Sequence, residues 1–214
     1  MAETIIDLKL PLAPQDADRL KLGDIVTVSG MLFTGRSRFH IRAIEENILP
    51  LIDFEKINCF FHVGPVMKQI PAGWEIVSIE PTSSIRFERY SAQVIRKLNL
   101  RTLIGKTTMG PETAAALAEV HGVHLSKIGI CGNQISRQVK KVHHVFFLDE
   151  LGKTEATWIF EVEKFGPFFV DIDTRGHNYF EQLDKDIVKN LDKVSRSLGI
   201  PADFNYTQVN AGNK

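Results

Sequence analysis

The residues best suited to chemistry in this chain lie in Leu100–Pro111, read LRTLIGKTTMGP. The apolar run Leu103-Ile104 ends in Gly105-Lys106-Thr107-Thr108, and Pro111-Glu112 opens an Ala-rich segment, Thr113–Val120. That order predicts a buried strand, a tight polar turn and a helix start. Proline in a first helical turn loses nothing, because its missing N–H would have had no partner there. The turn offers an ammonium, two hydroxyls and free backbone N–H groups at the positive end of a helix, which suits an anion. Two further junctions have the same form. One is Gly35-Arg36, with Arg36 and His40 at the start of a helical pattern. The other is Pro81-Thr82-Ser83-Ser84-Ile85-Arg86, where Thr82, Ser83 and Ser84 can each cap a helix and Glu88 sits near a capping-box offset. Any one junction reads as an ordinary cap. Three of them, with Arg36, Arg86 and Lys106 beside hydroxyls, predict a grip on a small di-anion. Arginine would make a bidentate carboxylate contact and lysine would act as a point charge. Gly105-Lys106-Thr107 is not a phosphate-binding P-loop, because Leu100 stands where that motif requires glycine.

The elements that must position these residues follow from periodicity. Thr4–Leu10 alternates apolar and polar and reads as a strand, and Ala13–Leu22 allows a short helical turn. Ile25–Phe33 is a β-branched strand with a possible bulge at Gly30. Phe39, Ile41, Ile44 and Ile48 have helical spacing. Cys59–Val63 and Trp74–Ile79 read as strands, and Ile85–Leu98 as a helix burying Ile85, Tyr90, Val94, Ile95 and Leu98. Val123–Ile130 returns as a strand, followed by a short basic helix over Gln134–Lys141 and a strand over Val142–Leu148. Glu150-Leu151-Gly152 reads as a turn. Ala156–Glu163 and Phe168–Ile172 read as strands separated by Gly166-Pro167, and Glu181–Leu198 as a long amphipathic helix. Residues 1–200 are expected to form one domain and 201–214 a polar tail. Alternating strands and helices in the middle, with strand-rich ends, indicate a mixed α/β domain with an additional β layer. In open α/β sheets ligands bind outside the carboxyl ends of strands, where the three junctions would lie.

Composition narrows the function. Lys+Arg and Asp+Glu are equal at 26 each in 214 residues, so no net field favours nucleic acid or acidic lipid. No segment reaches the length of a membrane span, and Met1–Leu10 lacks a signal-peptide core, so a cytoplasmic location is expected. Cys59 and Cys131 read as free thiols. Two cysteines are too few for an iron–sulfur cluster, which takes about four thiolates. His143 and His144 are adjacent in a strand pattern and face opposite sides, so they do not share a metal. Asp171 and Asp173 read as turn and edge chemistry before Gly176. The histidines at 62, 121, 124 and 177 are given no role.

At its junctions the chain resembles a known family, the β subunit of the two-subunit, iron–sulfur-dependent hydro-lyases. These are L(+)-tartrate dehydratase and class I fumarate hydratase, whose single-chain forms carry this unit as a C-terminal domain. The resemblance runs from about Leu8 to Phe180. It rests on Gly30…Gly35-Arg36…His40, Phe61-His62-Val63-Gly64-Pro65, Pro81-Thr82-Ser83-Ser84…Arg86, Gly105-Lys106…Met109-Gly110-Pro111, Glu150-Leu151-Gly152 and Phe165-Gly166-Pro167…Asp173…Gly176. It implies a swivelling β/β/α domain, a mixed sheet with flanking helices and an additional β layer. It also implies a separate α subunit holding a 4Fe-4S cluster whose open iron binds the hydroxy acid, while this unit closes the cleft over a small dicarboxylate. By that resemblance Arg86 contacts a carboxylate, Lys106 faces the substrate, and Arg36 and His40 line the same cleft. Thr82, Ser83, Ser84 and Gly105 complete the binding set, and Lys106, Thr107 and Thr108 are the catalytic candidates, with the base left open. The family usually has glycines after this lysine, where Thr107-Thr108 stand, and an acidic residue where Ser37-Arg38 follow Arg36. An oligomer, with itself or with the α subunit, is expected. The alternative is a stand-alone non-catalytic homologue that binds a small anion or a protein partner.

Overall fold

The computed structural model describes residues 5–129, 131–201 and 203–204. The chain opens with β1 (Ile6–Lys9), a single helical turn α1 (Pro14–Ala17), β2 (Ile25–Gly35) and α2 (Ser37–Ile44). It continues with β3 (Cys59–His62), β4 (Val66–Ile70) and β5 (Gly73–Ser78). A 3₁₀ turn over Ser84–Phe87 leads into α3 (Glu88–Leu98), then β6 (Thr102–Gly105), α4 (Pro111–Glu119) and β7 (Val123–Lys127). The remainder is α5 (Gly132–Ile135), β8 (Val139–Phe146), α6 (Leu148–Glu155), β9 (Thr157–Ile172) and α7 (Tyr179–Ser197). Two compact units result, Met1–Tyr179 and Phe180–Lys214. The second is represented by α7, whose Leu183, Ile187, Leu191, Val194 and Leu198 recur at helical spacing. Most of the tail expected from 201 onward lies outside the described residues.

The described residues form a seven-stranded sheet in the order β1-β2-β3-β6-β7-β9-β8, with β4 and β5 as a separate hairpin. β2, β3, β6 and β7 run parallel, as crossovers through helices require. The 16-residue β9 is antiparallel to β7, β8 and β2, and so closes β2-β3-β6-β7-β9 into a ring. Both faces of the parallel strands are covered, so these strands are apolar runs rather than alternations. Phe61, Ile104, Leu125, Phe165 and Phe168 point to one core, and Phe33, Phe60 and Leu103 to the other, beneath α2, α3 and α4. The mixed α/β architecture with flanking helices and extra strands matches the expectation.

Several local readings need correction. Gln134–Lys141 is not a basic helix. Only Gly132–Ile135 is helical, followed by a 3₁₀ turn, and Lys140 and Lys141 lie in β8. Val139 and Val142 pack on the core while both lysines between them face outward, which the register shift between Val139 and Lys141 allows. Glu150-Leu151-Gly152 is not a plain turn but part of α6, whose backbone breaks from helical geometry at Gly152. Gly166-Pro167 does not end a strand, because β9 continues through it, held on both sides by neighbours. β4 went unread; it is a mostly exposed edge strand with one buried side chain, Met67. The bulge at Gly30 is present: the β2–β9 register slips between Val28 and Gly30, and Gly30 takes φ +130°.

Candidate functional site

The register brings the three junctions to one edge. Gly35 pairs with His62 in β3, and Phe61 with Ile104 in β6, so Arg36, Val63 and Lys106 leave neighbouring strands at the same level. Two inter-strand steps separate Arg36 from Lys106, about 10 Å between backbones. The junction with no strand of its own in the main sheet is sewn on by hydrogen bonds. The Thr82 N–H donates to the His62 carbonyl (2.7 Å), and the Ser84 N–H to the Lys106 carbonyl (2.9 Å), with a parallel bridge between Ser83 and Lys106. Arg86 therefore stands two residues from a direct tie to the Lys106 loop.

The outer surface of this edge is cationic. Arg86 and Lys106 are exposed, and neither forms an ion pair among the described residues. Arg86 leans toward the Phe87 ring at 5.8 Å. Arg36 is different: its Nε is buried and lies 3.7 Å from the Glu155 carboxylate. Thr82 and Ser83 are half-buried at the edge. Thr107 is exposed and held at φ +64°, a left-handed conformation unusual for a β-branched residue. Its hydroxyl donates to the carbonyl of Lys106. Thr108 Oγ1 accepts from Asn178 (2.8 Å). Neither hydroxyl meets a base in these contacts.

Beneath the edge lies a buried polar layer. His40, placed with Arg36 in the sequence, does not reach the surface. It is fully buried, stacked on Phe87 at 4.7 Å, with both ring nitrogens lacking a hydrogen-bond partner. Burial drives its pKa down to about 3, so it is neutral. The misreading has a simple cause. The buried face of α2 is Phe39, His40 and Ala43, whereas the apolar spacing pointed to Ile41, Ile44 and Ile48. His62 is also fully buried and held well below the ordinary histidine range, first by burial and then by His40 and His124. Its Nδ1 lies 3.0 Å from Ser84 Oγ. His124 Nδ1 meets Asp171 at 2.6 Å, both fully buried. Ser84 and Gly105 are buried too and form the floor rather than the contact surface. Of the histidines and acids passed over in the sequence, His62, His124 and Asp171 thus lie directly under the cationic edge. Only His62 carried a local signal, closing its strand just before Val63-Gly64, whereas His124 and Asp171 sit inside strand patterns.

The start of α4 also differs from expectation. Its backbone N–H groups are not free for a guest. Glu88, at the start of α3, accepts from the N–H groups of Gly110 (2.8 Å) and Thr113 (3.0 Å) and from the Thr113 hydroxyl (2.7 Å). Glu88 caps a neighbouring helix rather than its own, and the fold fills this anion site from within. What remains for a guest anion is the pair of side-chain cations.

No group of three or more histidine, cysteine, aspartate or glutamate side chains suited to a metal occurs among the described residues. Cys59 is buried, its thiol pushed up by burial, and Cys131 is exposed. These residues do not fit a four-iron cluster, which needs several convergent thiolates. No helix among the described residues is long and apolar enough to cross a membrane.

The chain is similar to known proteins over most of its length. "Putative L(+)-tartrate dehydratase subunit beta" of Methanocaldococcus jannaschii is 35% identical over 187 residues, 86% of this chain and 95% of that protein. L(+)-tartrate dehydratase subunit beta of Escherichia coli K12 is 30% identical over 191 residues, 89% of this chain and 94% of that protein. "Putative fumarate hydratase class I" of Geobacillus stearothermophilus is 32% identical over 193 residues, 90% of this chain but 36% of that longer protein. The family model of the fumarase C-terminus matches residues 2–183, and with relatives of this similarity along nearly their whole length the chain belongs to the fumarase C-terminal family.

Proposed function

We propose that the chain is the β subunit of an iron–sulfur-dependent hydro-lyase of the tartrate dehydratase or fumarate hydratase type. In this reading it binds the carboxylates of a four-carbon hydroxy dicarboxylate, and a separate α subunit carries the 4Fe-4S cluster. The observation that carries it is the pair Arg86 and Lys106, on two loops joined by the Ser83–Lys106 bridge and left without carboxylate partners among the described residues. The chain's own contribution is electrostatic. Arg86 offers a planar fork to one carboxylate. Lys106 supplies a compact charge beside it. As the proton on the carbon next to that carboxylate is removed, negative charge spreads onto the carboxylate oxygens, and pre-placed cations stabilise it most at that moment. Arg36, at the neighbouring strand end, faces the Glu155 carboxylate of α6 and is therefore less available to a guest than Arg86 or Lys106.

The test is the assembled enzyme, prepared anaerobically with its α subunit. Arg86→Ala should lower kcat/KM by about two to three orders of magnitude. A change of less than a few-fold removes Arg86 from the site. A stable, colourless homo-oligomer that recruits no cluster-bearing partner favours instead the non-catalytic anion-binding reading, which Thr107-Thr108 after the lysine would suit.

A further inference from the structure

Ser84 is fully buried, so it cannot touch a guest, yet its side chain sits where the two cationic loops meet. Its Oγ accepts the Lys106 N–H (3.3 Å) and lies 3.0 Å from His62 Nδ1 and 3.4 Å from the Thr82 carbonyl. One hydroxyl thus addresses the residue before the Ser83–Ser84 step, the backbone of the catalytic lysine candidate, and a buried imidazole. The room for it is made by Gly105: a Cβ there would fall 1.8 Å from Ser84 Oγ and 2.9 Å from His124 Nε2. The hydroxyl therefore occupies space that only a glycine at 105 leaves open.

We propose that Ser84, backed by His62, is a positioning residue that fixes Lys106 against the Thr82–Arg86 loop. This rests on the reading that Lys106 faces the substrate. Oγ accepts the Lys106 N–H and donates its own proton to the Thr82 carbonyl, and His62 Nδ1 closes the set at 3.0 Å on the remaining lone pair. The imidazole is itself held in place by burial among Phe60, Phe87 and His40. A histidine there serves a purpose that a phenylalanine of similar shape would not, although the surrounding cage is aromatic.

Two variants at position 62 separate positioning from packing. His62→Asn places an amide where Nδ1 stood and can still bond Ser84, whereas His62→Phe suits the cage and cannot. In the full chain, amide hydrogen exchange at Lys106 should speed up about five- to tenfold in Ser84→Ala and His62→Phe, the loss of roughly one hydrogen bond, and much less in His62→Asn. In the assembled enzyme, kcat/KM should fall about tenfold in Ser84→Ala and His62→Phe, and His62→Asn should recover to within about threefold of the unsubstituted protein. The proposal is overturned if His62→Phe matches or exceeds His62→Asn in Lys106 protection. It is equally overturned if Ser84→Ala leaves that protection within twofold. The exchange measurement needs no turnover, so it decides the tie even if the assembled protein proves not to be a hydro-lyase. Altered exchange with unchanged kcat/KM would show the tie to be real but the role of Lys106 at the substrate to be wrong.

Discussion

Removing the carboxylate of Glu88 should expose how far the fold occupies its own anion site. Three hydrogen bonds, of 2.7, 2.8 and 3.0 Å, join this one group to the start of α4. Bonds to a charged group contribute about 1.5–3 kcal/mol each when taken singly. These three share one carboxylate, and the residue is only half-buried, so the sum is closer to about 3 kcal/mol. That figure includes the favourable position at the positive end of the helix. For a chain of this size each kcal/mol moves Tm by about 2–4 °C, so Glu88→Ala should lower Tm by roughly 6–12 °C. Glu88→Gln keeps one acceptor but turns an NH₂ toward N–H donors, and should lie between the two. A second readout tests the cause. With Glu88 gone, the N–H groups of Gly110 and Thr113 are open to a free anion. Sulfate should then raise the Tm of Glu88→Ala by several degrees more than it raises that of the unsubstituted chain. Thermal unfolding with sulfate or chloride at matched ionic strength measures both effects. A loss below about 1 kcal/mol, or equal sulfate stabilisation of both proteins, would refute the capping role.

Other substitutions should separate strain, crowding and charge. Thr107→Gly relieves a β-branched residue at φ +64°; strain relief of about 1–2 kcal/mol against an unfolded-state cost of about 0.4–1 should leave Tm unchanged or slightly raised, whereas Thr107→Val should not help. Gly105→Ala drives a methyl into Ser84 Oγ and should cost about 1–3 kcal/mol in urea unfolding, much of it recovered by adding Ser84→Gly. Acid should weaken the fold through the buried histidines. His40 titrates near 3 when folded, and His62 is also depressed, against about 6.5 when unfolded. Their stabilising contribution is complete above pH 6.5 and falls as pH drops toward the folded values, by about 2 kcal/mol for His40 at pH 5, with His62 adding in the same direction. His40→Phe should therefore flatten the pH 7-to-5 loss of stability in urea titrations, and an unchanged slope would contradict burial as the cause.

Particular residues show what could be read from order alone. The strand–turn–helix form of Leu103–Thr113 was legible because an apolar run, a Gly-Lys turn and a first-turn proline are local signals. So was the placing of Arg36, Arg86 and Lys106 at strand ends, since parallel strands joined by helices end on the same side, whereas the role of His62 between them was not. Glu88 was not legible. Its partners lie 22 and 25 residues away in another helix, and a capping box spans only a few residues. His40 was misplaced by about one position around the helix, because apolar spacing alone does not show that a histidine is stacked in a buried aromatic cage. Ile85 was expected to be buried and is instead exposed beside Arg86, the chain having chosen a 3₁₀ turn before α3. Lys140 and Lys141 read as helical because a register shift between Val139 and Lys141 breaks the period-two pattern of β8 and leaves Val139 and Val142 three apart on one face. In each case the deciding contact was tertiary.

The strength of the exposed cations also sets what this chain can do unaided. Exposed ion pairs contribute about 0–1 kcal/mol each, because water screens both charges and ordering long side chains costs entropy. Arg86 and Lys106 together therefore offer a free dicarboxylate about 2 kcal/mol at most. A dissociation constant of 1 mM corresponds to about 4 kcal/mol, so the chain alone should bind malate or tartrate more weakly than 1 mM. The helix start that might have added to this is already taken by Glu88. Useful affinity then requires a second surface that closes over the edge and removes water, where the same two charges interact far more strongly. Titration of the isolated chain, followed at the Lys106 and Arg86 side-chain resonances, should show weak, salt-sensitive shifts that grow tight only when the α subunit is added. Micromolar binding by the chain alone would mean that its own residues already form a closed site, and the case for a completing partner would fail.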